Sequence, residues 1–371
     1  GGPLAVAYPD GTVERFGEGV SPVTLRVHDE RLFGRVLRGG ETALGEAYAA
    51  GDWSADDLPR LLALGLRNRS RLALSGPLAS IASVQRRGAH RLRANTRAGS
   101  RRNIHEHYDL GNGFFALMLD ETMTYSSAVF EWPGQDLAAA QRHKYALACA
   151  AARIKPGGHV LEIGCGWGGF AEYAVRTIGC RVTGITISEE QHAYASRRLA
   201  PFAGAAEVRL CDYRDIRGSY DAVVSIEMIE AVGARYLPRF FAACARRLRP
   251  GGRLFVQAIV VPERDAAAQR RGENWLQQYI FPGGELPSIA GLERAAGRAG
   301  LRLRDARDIG AHYVTTLQHW RERFDANRPA VRAMGFDARF ERTWEYYLAA
   351  CEAVFATGTA SDVKLVFDRA G

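Results

Sequence analysis

Val160-Leu161-Glu162-Ile163-Gly164-Cys165-Gly166-Trp167-Gly168-Gly169 is an apolar run that drops into a glycine-dense turn. A helical pattern, Phe170 to Thr177, follows at once. The run reads as a buried strand. The glycines read as a turn whose backbone bends sharply and comes close to a ligand. Beyond it, the start of the helix offers free N–H groups to an acceptor. A glycine-rich turn by itself also suits an ordinary tight turn or a dinucleotide fold. The flanking sequence decides.

Arg181 to Ile187 reads as a second strand that ends in Ser188 and opens a helix at Glu189-Glu190-Gln191. A third, Glu207 to Leu210, ends at Cys211-Asp212-Tyr213, and a fourth, Tyr220 to Ile226, ends at Glu227. Arg253 to Val261 makes a fifth. Strands alternating with helices, with polar groups at their carboxyl ends, predict an open α/β sheet that binds ligand along one edge. The turn has the form G-x-G-x-G rather than G-x-G-x-x-G. That form favours S-adenosylmethionine, which has no pyrophosphate to cradle, and argues against a nucleotide-dependent oxidoreductase.

The 371 residues suffice for one large domain and a smaller one. With 47% hydrophobic and 24% charged residues, the composition is that of a soluble globular protein. No apolar run approaches the roughly 18 to 20 residues that span a bilayer. The chain opens Gly1-Gly2 without a methionine, which leaves room for a lost targeting segment. Cysteines at 149, 165, 180, 211, 244 and 351 show no C-x-x-C pairing. They read as buried thiols in a reducing compartment, with no metal site. Net charge is +8, and arginines crowd residues 67 to 102: Arg67, Arg69, Arg71, Arg86, Arg87, Arg91, Arg93, Arg97, Arg101 and Arg102. They form either a solvated face or an attraction to an anionic surface, nucleic acid or acidic lipid. Charge alone does not choose between these.

Residues 1–85 read as a small α+β domain: a hairpin around Tyr8 to Thr12, a strand Val23 to Val27, helices near Asp29 to Leu37 and Glu41 to Ala50, and a helix opened by Asp56-Asp57-Leu58 that runs through Leu66. Residues 86–103 are basic and poor in apolar anchors, a linker. Residues 104–371 form the second domain. After its fifth strand come a helix Ser288 to Arg298, a strand Leu301 to Asp308, helices Thr315 to Phe324 and Phe340 to Phe355, and a last strand Val363 to Phe367. Trp320, Phe324, Trp344, Tyr346, Tyr347 and Phe355 recur at near-helical spacing and read as core before lipid tunnel.

Several strings resemble the cyclopropane fatty acid synthase family. They are His107 to Asn112, Met123-Thr124-Tyr125-Ser126-Ser127-Ala128, the glycine turn, Gly184 to Ser188, Ile226 to Gly233, Tyr279 to Gly284 and His312 to Leu317. Order and spacing fit from about residue 100 to the C-terminus, and the first domain resembles the family's small N-terminal domain more loosely. The resemblance implies a class I methyltransferase fold, a Rossmann-like α/β sheet with helices on both faces. S-adenosylmethionine would then touch Tyr125, Ser126, Glu162, Gly164, Gly166, Gly168, Thr186, Gln191, Asp212 and Tyr213. A packing role is the alternative for Tyr125 and Tyr213.

The chemistry implied is attack by a cis double bond of an unsaturated phospholipid acyl chain on the sulfonium methyl. A carbocation forms, so the site must be dry, electron-rich and supplied with a base. Family members are thought to use a bound bicarbonate as that base. By motif, its holders here would be Glu230, Tyr313 and the backbone of Ile259; a helix-capping role is the alternative for Glu230. Surface or packing is the alternative for His105 and His107. The sequence departs from the best-known bacterial pattern at Ser127, where the family has cysteine, at Gln257, where it has histidine, and at Ala231. Gln257 hydrogen-bonds but cannot titrate. These versions resemble a branch with plant-type and actinobacterial fatty acid methyltransferases.

Cyclopropane formation is the expected outcome, and a methylene or methyl branch from the same cation is the alternative. A nucleic acid methyltransferase has no N-P-P-Y-like or P-C motif to support it. A lipid-binding protein with a degenerate site is the third reading, prompted by Ser127 and Gln257. The expected setting is the cytoplasm, peripherally on the inner face of the membrane through residues 86–102, with a homodimer left open and no nucleic acid partner.

Overall fold

The computed structural model describes residues 2–20, 22–69, 110–269 and 274–369. The expected basic linker over 86–103, with His105 and His107, lies outside them.

Packing groups the chain into two units. One takes the described residues of Gly1–Leu92 with Ala268–Phe281 and Leu317–Ala360, the other those of Arg93–Ala267 with Pro282–Thr316 and Ser361–Gly371. This departs from a division at residues 85 and 104, which assigns every later helix to the second domain. Aromatic packing between residues far apart in sequence is the reason. Tyr346, on the helix Ala338–Ala356, lies 5.5 Å from Tyr48 and 4.7 Å from Trp275 between ring centroids. Arg342 donates to the carbonyls of Tyr48 and Trp53 and places its guanidinium 4.2 Å from the Tyr48 ring centroid.

In this first unit β1 (Leu4–Ala7), β2 (Val13–Phe16), β3 (Val23–Val27) and β4 (Trp53–Ala55) form a sheet ordered β2-β1-β3-β4. The hairpin expected around Tyr8 to Thr12 is present. Asp10 Oδ1 accepts the Thr12 N–H at 2.8 Å, the side-chain-to-backbone bond that suits aspartate to turns. The two helices expected over 29–50 are one run, Arg31–Ala50, kinked at Gly40. Trp320, Phe324, Trp344, Tyr346, Tyr347 and Phe355 are all buried, so that aromatic series is core.

The second unit is a seven-stranded sheet with the order β10-β11-β9-β8-β5-β6-β7. Its strands are β5 (His159–Ile163), β6 (Arg181–Thr186), β7 (Ala206–Leu210), β8 (Tyr220–Ile226), β9 (Leu248–Val260), β10 (Leu301–Asp308) and β11 (Ser361–Arg369). β5 to β9 run parallel, and β11 is antiparallel to both β9 and β10. Parallel strands covered on both faces read as unbroken apolar runs. Adjacent Val223 and Val224 illustrate this: both are fully buried, one in each of the two apolar clusters. The chain leaves β5 toward β6 and β7 on one side and returns to β8 on the other. Sheets of this kind open a ligand crevice at such a reversal, beyond the carboxyl ends of the strands. The glycine turn follows β5 there, and Glu227 follows β8.

The turn needs its glycines for different reasons. Gly164 has φ +82°, and a Cβ on it would lie 2.6 Å from Met228 Cγ. Gly166 has φ +51°, with nothing within 4 Å of where a Cβ would point. One glycine permits close packing and the other faces open space. Gly164→Ala is therefore expected to lower unfolding free energy by about 1–3 kcal/mol, through left-handed strain plus the clash. A urea titration showing a loss well under that range would put the turn's glycine requirement elsewhere.

Candidate active site

β8 delivers Glu227 with φ +45°, a left-handed conformation that is uncommon for a residue with a Cβ. Strain of this sort persists where surrounding bonds over-determine it. Here the Glu227 N–H donates to Gln257 O at 2.9 Å. Its carboxylate Oε1 accepts the Ser127 N–H at 2.7 Å and Gln257 Nε2 at 2.8 Å, and Oε2 accepts the Tyr313 hydroxyl at 2.7 Å. Gln257 comes from β9 and spans two acids, since Nε2 also donates to Asp362 Oδ2 at 2.7 Å. Register places Asp362 there: on β11 it pairs with Ile259, two residues on from Gln257.

Glu230 sits in the short turn Ile229–Ala231 that follows β8. Its Oε1 accepts the Ile259 N–H at 2.6 Å, while its Oε2 is buried without a protein partner. It does not cap the helix Leu237–Arg247, which has no side-chain cap bond. The helix Leu137–Ala151 supplies Gln141 and Lys144, one turn apart on the buried side. Gln141 Nε2 donates to Ser126 O at 2.9 Å, and Lys144 Nζ donates to Ser126 Oγ at 2.6 Å. Thr316 Oγ1 accepts the Ala128 N–H at 3.1 Å. The segment Ser126-Ser127-Ala128 is thereby tied from several sides.

Burial governs the protonation of this cluster. It pushes the Glu230 carboxyl up to about 8, helped by repulsion from Glu227. Asp362 is held well above the usual carboxylate range by burial, then by Glu227 and Glu230. Glu162, at the end of β5, is raised by burial too. Glu227 also moves up through burial, opposed by the Lys144 charge and by the bonds from Tyr313 and Ser127. Of the four it has the most donors aimed at its ionised form. The cluster can therefore hold both an ionised carboxylate and protonated carboxyls in a dry setting.

The residues expected at the cofactor are placed in different ways. Tyr125, half-buried, meets the ring of Phe115 at 5.3 Å, and Phe115 meets Trp167 at 5.1 Å, an aromatic wall at the glycine turn. Thr186 Oγ1 and Gln191 Oε1 lie 2.9 Å apart at the end of β6, and Asp212, buried at the end of β7, accepts the Arg214 N–H at 2.9 Å. Gly164, Gly166 and Gly168 form the turn itself. Tyr213 is set into the core with its ring 5.4 Å from Phe240, the packing role weighed for it in the sequence. Ser126 has both oxygens engaged by Gln141 and Lys144. The catalytic set fares differently: Glu230, Tyr313, Gln257, Ser127 and Ile259 do come together.

Two of the residues expected to hold bicarbonate are engaged by other groups of the protein. The Ile259 N–H and the Tyr313 hydroxyl, on two of the residues named for it, are occupied by Glu230 and Glu227. An anion there would also face the Glu227 carboxylate. Sequence reasoning missed the roles of Glu227, Asp362 and Lys144. Glu227 carried a signal, an acid at the carboxyl end of a central strand; Asp362 and Lys144 had none in local pattern.

Residues 95–365 match a family model described as mycolic acid cyclopropane synthetase. The chain is 42% identical over 381 residues to the tuberculostearic acid methyltransferase UfaA1 of Mycobacterium tuberculosis, covering 96% of this chain and 85% of that protein. It is 34% identical over 351 residues to the cyclopropane-fatty-acyl-phospholipid synthase of Escherichia coli, covering 95% and 89%. Among solved structures, the mycolic acid cyclopropane synthase CmaA1 complexed with SAH and CTAB superposes with a TM-score of 0.68 at 28% identity, over 72% of this chain and 98% of that one.

A stability test follows from Glu230. Unfolded, its carboxyl loses a proton near the ordinary glutamate value; folded, it keeps that proton up to about 8. Between those values the folded state binds more protons, so stability falls as pH rises. Glu230→Gln should flatten that fall by up to about 1.4 kcal/mol per pH unit. Urea midpoints at pH 5 and pH 8 that move in parallel in both proteins would contradict this.

Proposed function

Since this chain belongs to the cyclopropane synthase family, we propose that it transfers one carbon from S-adenosylmethionine to the cis double bond of an unsaturated fatty acyl chain of a phospholipid, closing a cyclopropane ring. The observation that carries the reading is a buried acid cluster, centred on an ionisable Glu227, beside an open glycine turn at the sheet reversal. An alkene is a weak nucleophile with no proton to give up before it reacts. What it requires is a water-free site and a base for the proton released afterwards.

The chain's residues fit the cofactor. Gly166 faces open space, the Tyr125–Phe115–Trp167 wall stands at the turn, and acidic or hydroxyl side chains end β6 and β7. When bound there, S-adenosylmethionine supplies an electrophilic methyl and departs as a neutral thioether. Glu227 is the proton acceptor in this proposal. Its Oε2 already accepts from the Tyr313 hydroxyl, which can take up a proton on oxygen as it passes its own to the carboxylate. The proton comes from the added carbon, and the C–H electron pair it leaves forms the third ring bond. Glu230 stays protonated at neutral pH and adds no second negative charge. No bicarbonate is needed.

Loss of a proton after a hydride shift would instead leave a methylene branch. The 42% identity to a tuberculostearic acid methyltransferase makes that the second outcome to look for. The acyl chain is proposed to come from a membrane surface to a protein attached peripherally at its inner face. No helix among the described residues is long and apolar enough to cross a membrane.

The test is purified protein, methyl-labelled S-adenosylmethionine and vesicles of dioleoyl or dipalmitoyl phosphatidylglycerol. Label is expected only in the dioleoyl lipid, and mass spectrometry with fragmentation separates ring from methylene. Glu227→Gln should cut turnover by at least ~1,000-fold with cofactor affinity within about threefold, the pattern of a lost catalytic base. Label in dipalmitoyl lipid, or a Glu227→Gln enzyme at full turnover, would overturn the assignment.

A further inference from the structure

Of the 49 lysines and arginines in this chain only three are lysines, Lys144, Lys155 and Lys364. Lys155 is exposed and Lys364 keeps 9% of its surface exposed, whereas Lys144 is fully buried. Among the described residues, a chain that uses arginine almost everywhere has one wholly buried cation, and it is an ammonium. Arginine is bulkier and always charged, whereas a lysine compact enough for the space can respond to its surroundings.

We propose that Lys144 is a positioning residue for the proton acceptor: its charge keeps Glu227 ionised beside Asp362 while its ammonium fixes Ser126. The inference rests on the function proposed above. Geometry supports both halves. Nζ donates to Ser126 Oγ at 2.6 Å, and Ser127, the next residue, donates its N–H to Glu227 Oε1 at 2.7 Å. One short segment thus links the ammonium to the carboxylate. Among the described residues no other lysine or arginine is wholly buried.

Acidic groups near Lys144 come from four places. They are Asp120 before the Met123–Ala128 segment, Glu162 on β5, Glu227 after β8 and Asp362 on β11. Facing Glu227 in turn are Lys144, the Tyr313 hydroxyl, Asp362 and Glu230. Burial lowers the Lys144 ammonium to about 8, and the four acids hold it there against a larger fall. The coupling is mutual. An ammonium that favours an ionised Glu227 is itself favoured by it, so removing either charge must move the titration of the other.

Two measurements test this. In the full-length enzyme with cofactor and dioleoyl vesicles, Lys144→Gln keeps a hydrogen-bond donor for Ser126 but removes the charge. Glu227 then holds its proton to higher pH, so the acidic limb of kcat/KM should move up by about one pH unit or more. Turnover near pH 7 should fall roughly 10- to 100-fold and recover partly as pH rises, while cofactor affinity stays within about threefold. A reduced turnover with the limb unmoved would mean that Lys144 only supports the segment, and the proposal fails.

The second measurement does not need a folded Lys144 variant. Selective 15N-lysine labelling gives three side-chain ammonium sites, with Lys155 and Lys364 as internal references. In Glu227→Gln the Lys144 midpoint should drop by about one pH unit or more; an unchanged midpoint overturns the coupling. If Glu227→Gln retains full turnover, the underlying reading falls and this inference with it. If Glu227→Gln is inactive while both titrations stay put, only the role of Lys144 is lost.

Discussion

Glu162, Glu227, Glu230 and Asp362 are buried in a site that holds a single wholly buried lysine, and that imbalance of charge constrains the rest of the site. An ionised carboxylate removed from water is costly unless donors or an opposite charge replace its hydration. The protein does not supply enough of either for all four. Glu227 receives three hydrogen-bond donors and the field of Lys144, whereas Glu230 has one backbone N–H and a second oxygen with no protein partner. Ionisation therefore concentrates on Glu227, and its neighbours retain protons.

The sheet makes this arrangement unavoidable once the chain is threaded through it. β5 and β8 are neighbours whose connections run in opposite directions, so their carboxyl ends share one crevice. The glycine turn occupies one lip and the strained Glu227 the other. β9 adds Gln257, and antiparallel β11 brings Asp362 back alongside Ile259. The antiparallel strand has a consequence beyond closing the sheet, because its starting residue reaches the same end at which the parallel strands finish.

Much of this was legible in the residues and part of it was not. The glycine turn, the alternation of strands and helices and the polar strand ends predicted the α/β sheet, with β8 and β10 bounded as observed. β9 begins five residues before its predicted start, because Pro250-Gly251-Gly252 reads as a turn but forms an irregularity in the strand. The helix after the glycine turn widens to π geometry over Ala174–Ile178, which local periodicity does not reveal. Aromatic pairs such as Tyr48 with Tyr346 are nearly 300 residues apart, so no local pattern could have joined them. Lys144 lies in an alanine-rich helix of weak amphipathic pattern, where a charged residue would ordinarily be assigned to solvent.

Gln257 shows why a neutral side chain suits this position. An imidazole there could compete for the released proton. The Gln257 amide cannot titrate, yet its two N–H groups suffice for one bond to Glu227 and one to Asp362. It holds two acids at a fixed separation without joining their acid–base chemistry. Of the groups bonded to the Glu227 carboxylate, the Ser127 N–H and the Gln257 amide cannot accept a proton, which leaves the Tyr313 hydroxyl. In the function proposed above, an amide at this position leaves Glu227 as the base, and the protonated carboxyls around it add no competing charge.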